Sequence, residues 1–222
     1  MMMERAYIFD LDDTLYCEHD YVRSGFYAVA EVICEQYSNL QVTTIYNEFL
    51  RVLKAHGRGK VFDIVCDKYE IDMDIKSLVQ LYREHVPDIT LYPDAVEVLT
   101  VLQNKGVLTG LITDGNSTMQ WRKIKALDVE KYMDVVVVTG DLGEEYWKPS
   151  PVSYIKVAQA LNVPLESCVY IGDNPHKDFV TAKKLGMKTL RIVRPVGDHM
   201  RTKLHAEYEA NQRISTLTDI FA

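Results

Sequence analysis

From about residue 90 onward, short apolar runs alternate with stretches of helical periodicity, and this alternation limits the chain more than any other feature. Residues 107–113, 135–138, 169–171 and 189–193 are too short for helices and rich in β-branched side chains, so they read as strands. The four consecutive valines at 135–138 predict a strand buried on both faces, as parallel sheets require. Helices fall between these runs. One spans 94–104 and is closed by Lys105-Gly106, one includes 119–126, and one spans 179–185 and is closed by Gly186. Another opens with Ser150 as its cap and Pro151 at its first helical position. Strands and helices joined by short connections imply βαβ crossovers and a parallel sheet. Residues 214–221 read as a last short strand and turn, while 196–211 are open to being a loop, a contact surface or a late helix.

One more strand stands apart from the rest. Residues 5–9 are apolar and stop at Asp10, Asp12 and Asp13. From about residue 16 the rhythm becomes helical: Val22, Phe26, Val29, Ile33 and Tyr37 share one face, and Phe49, Val52 and Leu53 mark a second helix. Residues 61–69 and 78–82 suggest two more, with no strand between, and Pro87 and Pro93 bracket the loop that follows. The reading is an α/β core made of residues 1–15 and 90–222, with an all-helical domain, 16–89, inserted after the first strand.

Composition narrows the function classes. A chain of 222 residues with 47% hydrophobic and 26% charged content is long enough to bury a core without staples. Lys and Arg total 25 against 32 Asp and Glu, a net charge of -7, which disfavours long nucleic acid as a partner. The densest basic stretches, 191–194 and 199–203, are short. Cys17, Cys34, Cys66 and Cys168 have no metal-ligand spacing and read as small core hydrophobes in a reducing compartment. The apolar run after the first five residues is too short for a signal peptide, and nothing approaches a membrane span, so a cytoplasmic protein with no membrane partner is expected. Oligomeric state is unreadable.

In an open parallel sheet, ligands bind beyond the carboxyl ends of the strands. Here those ends carry Asp10, Asp12 and Asp13; Thr113, Asp114 and Asn116; Thr139 and Asp141; and Asp173, Asn174 and Asp178. Asp10, Asp12 and Asp173 crowded together would each resist ionising. A hard divalent cation resolves that conflict, and carboxylate oxygen with water is what Mg²⁺ prefers. Lys148 adds one positive charge and leaves a site suited to a bound phosphate.

Asp10-Leu11-Asp12-Asp13-Thr14-Leu15, then Thr113, then Lys148-Pro149, then Gly172-Asp173-Asn174-Pro175-His176-Lys177-Asp178 resemble the four ordered motifs of the haloacid dehalogenase superfamily. The resemblance runs the length of the core and implies a Rossmann-like parallel sheet with a type 1 helical cap domain. It also implies roles. Asp10 is then the nucleophile that forms an aspartyl phosphate, and Asp12 the acid and base for the leaving oxygen and the attacking water. Thr113 donates to phosphoryl oxygens, and Lys148 holds the nucleophile and offsets developing charge. Asp10, the backbone carbonyl of Asp12, and Asp173 bind Mg²⁺, with Asp178 behind them or joined through water.

Each residue has a plainer reading as well. Asp10 and Asp12 suit a turn, Thr113 alone is a turn residue, and Lys148 alone is a solvated loop lysine. Gly172 serves a tight turn. Asp13 and Asp114 read as acids that hold loop backbone. Asn116 and Asn174 suit phosphate binding or loop support equally. In the cap, His56-Gly57-Arg58-Gly59-Lys60 puts Arg58 and Lys60 where they meet an anionic leaving group, or it is a solvated loop. Tyr16, His19, Tyr21 and Arg23 are candidates for the mouth of the site, and Trp121 and Trp147 for packing.

Dehalogenases lack an acid at the position of Asp12, because a halide leaves without a proton. The expectation is therefore a Mg²⁺-dependent phosphomonoesterase for a small phosphorylated metabolite: a sugar phosphate, phosphoglycolate or a nucleotide. A phosphosugar mutase of the same superfamily is the first alternative, and a non-catalytic phosphate-binding module the second.

Overall fold

The computed structural model describes residues 6–221; the start of the first expected strand, Arg5, and the Met-Met-Met-Glu stretch before it lie outside the described residues. The chain divides into two compact units, one running to Glu18 and resuming at Ile89, the other His19–Asp88.

The first unit is an α/β fold around one six-stranded sheet. Its strands are β1 (Ala6–Phe9), β2 (Leu108–Thr113), β3 (Val135–Val138), β4 (Cys168–Gly172), β5 (Lys188–Ile192) and β6 (Gln212–Ile214). They lie in the order β3-β2-β1-β4-β5-β6, and every pairing is parallel. β1 is central, with Ile8 opposite Gly110 on one side and Tyr170 on the other. All four of its residues are buried, which is why it reads as a continuous apolar run. β3 is different. It is an edge strand, and Val135 and Val136 are only half-buried, correcting the expectation of two covered faces.

Helices α5 (Pro93–Asn104), α6 (Ser117–Ala126), α7 (Val152–Ala160) and α8 (Val180–Lys184) join the strands. α7 packs against β2 and β3, placing Tyr154, Val157, Ala158 and Leu161 with Ile8, Ile112, Tyr170 and Phe179 in one apolar cluster. Fully burying side chains of this size contributes roughly 1.5–3 kcal/mol each. α7 starts one residue later than expected, and Ser150 makes no side-chain cap; its backbone N–H closes a turn on Trp147 instead. Residues 196–211 contain turns and no helix, and Glu209 and Asn211 tie this stretch to Arg191 and Thr189 of β5. The basic stretch at 191–194 is not a surface patch: Arg191 and Arg194 are buried, paired with Glu209 and Asp94. Cys66 and Cys168 are buried, Cys17 and Cys34 half-buried, and all four are free thiols.

The second unit is helical: α1 (Glu18–Gln36, all but its first residue), α2 (Val42–His56), α3 (Val61–Lys68) and α4 (Ile75–Glu84). The face foreseen on α1 meets Ile45, Phe49 and Val52 of α2 and Phe62 and Val65 of α3 in a single core. Phe26, Phe49 and Phe62 pack ring against ring, with centroids 5.2–5.9 Å apart. Asp74 caps α4 by accepting from the Ser77 N–H at 3.0 Å. Among the described residues, no helix is long and apolar enough to cross a membrane.

Candidate active site

The strand order reverses between β1 and β4, and the carboxyl ends of these two strands and of β2 carry the acids. Asp10 follows β1 directly and continues its ladder, donating its N–H to Ile171 O at 2.8 Å. Thr113 ends β2, and Asp173 follows β4. All three are buried.

Lys148 reaches this point from the loop before α7. Asp114 anchors that loop, accepting from the Lys148 N–H at 3.1 Å, from Thr139 Oγ1 at 2.9 Å and from Lys177 Nζ at 3.0 Å. The Lys148 ammonium is fully buried and lies 2.6 Å from Asp10 Oδ1, 2.9 Å from Asp178 Oδ1 and 2.9 Å from the Tyr170 hydroxyl. Burial pushes its pKa down, but Asp10 and Asp178 outweigh burial and hold it well above the ordinary lysine value.

Asp10, Asp173 and Asp178 form one buried carboxylate cluster, with an oxygen from each within 4.8 Å of the others. Burial pushes Asp10 up to about 7 against the pull of Lys148, and the Asp178 charge adds to the rise. Burial, then the charges of Asp178 and Asp10, raise Asp173 well above the carboxylate range. Oxygen donors packed this closely, with Asp10 and Asp173 both resisting their own charge, fit a hard divalent cation. Asp178 is therefore nearer the centre of the site than the sequence placed it. Gly172 is what admits it: a Cβ there would come within 2.5 Å of Asp178 Oδ2. That explains the glycine better than a tight turn does. Arg191 supports the neighbouring backbone, donating from Nε to Asp173 O at 3.1 Å.

Asp12 points elsewhere. Its Oδ1 lies 2.6 Å from Lys123 Nζ and accepts from the Tyr16 hydroxyl, and its Oδ2 accepts from Gln120 Nε2 at 2.9 Å. Burial raises this carboxyl, but the Lys123 ammonium and the three hydrogen bonds more than compensate, so its pKa falls below the ordinary value. Gln120 Nε2 also lies 2.6 Å from Thr113 Oγ1, so one side chain touches both Asp12 and Thr113. Asp13 holds loop backbone, accepting from the Glu18 N–H at 2.9 Å and the Asp198 N–H at 3.0 Å; burial lifts its pKa to about 6.

The other sequence candidates lie outside this cluster or in the second unit. Asn116 is exposed and caps α6, accepting from the Met119 N–H at 3.2 Å. Asn174 folds its side chain back onto the His176 N–H at 3.0 Å. Trp121 donates to Asp141 at 2.9 Å. Arg58 and Lys60 sit in an exposed 3-10 turn, Arg58–Lys60, of the helical unit. Sequence reasoning missed Gln120, Lys123 and Tyr170. The signal for the first two was available: the buried stripe of α6 is Gln120, Lys123 and Ile124, and an apolar stripe there would have needed no polar side chains.

The sequence profile of the haloacid dehalogenase-like hydrolases matches residues 7–192. The chain is 31% identical over 202 residues to the glyceraldehyde 3-phosphate phosphatase of Methanopyrus kandleri, covering 86% of this chain and 85% of that one. It is 28% identical over 224 residues to the enzyme of the same name from Methanocaldococcus jannaschii, covering 98% and 97%. A haloacid dehalogenase-type phosphatase from Thermococcus onnurineus shares the fold with a TM-score of 0.61 at 21% identity, covering 97% of this chain and 95% of that one.

Proposed function

The chain belongs to the haloacid dehalogenase-like hydrolases and is a phosphatase of that family, and we propose that it is a phosphomonoesterase whose phosphoryl intermediate forms on Asp10. The observation that carries this reading is the buried Lys148 ammonium, 2.6 Å from Asp10 in a cluster that also holds Asp173 and Asp178. Lys148 favours the ionised, nucleophilic form of Asp10 and offsets charge on the transferring group. A carboxylate oxygen of Asp10 attacks phosphorus as the bond to the leaving oxygen breaks, and Asp12 gives that oxygen a proton. Water then attacks phosphorus, Asp12 takes its proton, and the bond to Asp10 breaks to release phosphate. The Thr113 hydroxyl orients the phosphoryl oxygens.

Asp10, Asp173 and the Asp12 carbonyl would hold Mg²⁺, and Asp178 has a carboxylate oxygen in the same cluster. Bound there, the cation supplies charge neutralisation for carboxylates and phosphoryl oxygens together. An acid at position 12 suits an oxygen leaving group rather than a halide. The relatives named for glyceraldehyde 3-phosphate support a small phosphorylated metabolite as substrate. Arg58 and Lys60 are proposed to set the preference among such compounds. Replacing both with Ala then reorders the substrate ranking more than it lowers release from 4-nitrophenyl phosphate.

The test is phosphate release across glyceraldehyde 3-phosphate, phosphoglycolate, sugar phosphates and nucleotides, with Mg²⁺ and with chelator, using Asp10→Asn as the blank. Metal-dependent release on one or a few compounds, absent in the blank, is the expected result. Release by Asp10→Asn at the wild-type rate would rule out the covalent route. Fast release from a single monoester without an activating bisphosphate excludes a mutase.

A further inference from the structure

Three side chains without a role in the steps above converge on the Asp12 carboxylate. Lys123 Nζ lies 2.6 Å from Oδ1, the Tyr16 hydroxyl donates to the same oxygen, and Gln120 Nε2 lies 2.9 Å from Oδ2. Tyr16 belongs to the turn that follows β1, and the other two to α6, more than a hundred residues later. Both oxygens are therefore fixed, from two directions.

The Lys123 side chain is 1% exposed. Taking an ammonium out of water costs several kcal/mol, and Leu or Met on the same helix face would pack there without that cost. The charge is matched to Asp12. Gln120 makes the same point: its Nε2 also meets Thr113 Oγ1 and Asp114 O, both at 2.6 Å, while its Oε1 is buried without a hydrogen-bond partner. The amide is placed for its donors at the expense of its acceptor.

We propose that Tyr16, Gln120 and Lys123 form a clamp that aims the Asp12 carboxyl group at the leaving oxygen of the substrate. They are positioning residues, and the inference rests on the phosphoryl-transfer reading given above. The three donors favour the carboxylate at rest, so the species that acts is the minor protonated form of Asp12: its O–H bond breaks as the proton passes to the leaving oxygen and the phosphorus–oxygen bond opens. Asp12 regains a proton from the water that attacks the phosphoryl group on Asp10. In kcat/KM, which covers the steps up to release of the leaving group, a displaced Asp12 harms only substrates that need this proton; its part in the later attack of water falls outside that ratio. An alkoxide leaves poorly without it, whereas 4-nitrophenolate is stable enough to leave unprotonated. A lysine that merely neutralised a half-buried acid would act through the folded fraction and lower both substrates alike.

The experiment compares kcat/KM for an alkyl monoester from the substrate panel with that for 4-nitrophenyl phosphate, in Mg²⁺, for wild type, Lys123→Met and Tyr16→Phe. Misplacing a general acid by about 1 Å costs on the order of 10²-fold. Lys123→Met should therefore lose about that much on the alkyl ester and less than about tenfold on the aryl ester. Tyr16→Phe keeps the ring, removes one hydroxyl, and should shift the ratio the same way by less. It carries the comparison if Lys123→Met does not fold. Equal losses on both esters, or an unchanged ratio in both variants, would overturn the clamp while leaving the phosphatase standing. Wild-type protein indistinguishable from Asp10→Asn on every ester would overturn the phosphatase reading and the clamp with it.

Discussion

Lys148→Met tests the electrostatics of the site without any substrate. Methionine keeps most of the side-chain volume, so repacking alone should cost less than about 1.5 kcal/mol. The charge is another matter. The Lys148 side chain is 0% exposed, and its partners Asp10 and Asp178 are 4% and 0% exposed, so neither carboxylate can recruit bulk water when the ammonium goes. Removing one partner of a buried ion pair costs about 3–5 kcal/mol, mostly as the penalty for the charge left behind. With a urea m-value of about 2 kcal/mol/M, the unfolding midpoint should fall by about 2 M.

The two tryptophans, Trp121 and Trp147, both lie in the α/β unit, so their fluorescence follows that unit and not the helical one. The measurement is a urea titration at pH 7.5 in chelator. Lys148→Met combined with Asp10→Asn removes one orphaned charge and should recover more than half of the loss, because the two sites interact directly. The gap between wild type and Lys148→Met should also narrow at pH 5, where the raised carboxyl of Asp10 takes up a proton and no longer needs a counter-ion. A midpoint shift below about 0.5 M, or a double variant no better than the single one, would refute the account; a shift that small lies within the repacking term.

The remaining predictions concern the same cluster. Gly172→Ala would set a Cβ 2.5 Å from Asp178 Oδ2, and that carboxylate is pinned by Lys148 and the Asn174 N–H, so the core should lose about 1–3 kcal/mol and activity with it. Gly59→Ala, where nothing lies within 4 Å of the new Cβ, is the matched control, and equal melting losses in the two variants would contradict the packing argument. Burial raises both Asp10 and Asp173, so the metal-free folded protein holds protons that the unfolded chain releases. Its stability is full below the ordinary carboxylate range and falls as pH climbs toward about 7, the Asp10 value. Mg²⁺ should offset that fall, so the difference in Tm between Mg²⁺ and chelator should widen from pH 5 to pH 8; a constant difference would place the cation elsewhere.

The parts of this fold legible in the sequence are those whose cause is local. A strand buried on both faces must be apolar along its length, so β1 and β4 announce themselves, and the acids that follow them mark the ligand end of the sheet. Sheet order is not local. Four valines say that β3 avoids water but not how many neighbours it has, and crossover direction makes it an edge. The pairing of Arg191 is not local either. A guanidinium in a short basic stretch looks solvated until residues 196–211 return over β5 and bring Glu209 to it.

The site divides along the same line. Asp10, Thr113 and Asp173 each stand at the end of an apolar run, so position alone exposes them. Lys123 and Gln120 stand at no such end; they are interior residues of an ordinary-looking helix, 111 and 108 positions from the carboxylate they hold. Only burial gives them meaning, because a lysine can stay charged out of water only when something there needs its charge. The same reasoning separates the two carboxylates of the first motif. Asp10 lies in a cluster with more buried negative charge than Lys148 can balance, which suits it to a cation and a phosphoryl group. Asp12 has its charge already matched by Lys123 and is kept out of that competition, so its proton chemistry can answer to the leaving group instead.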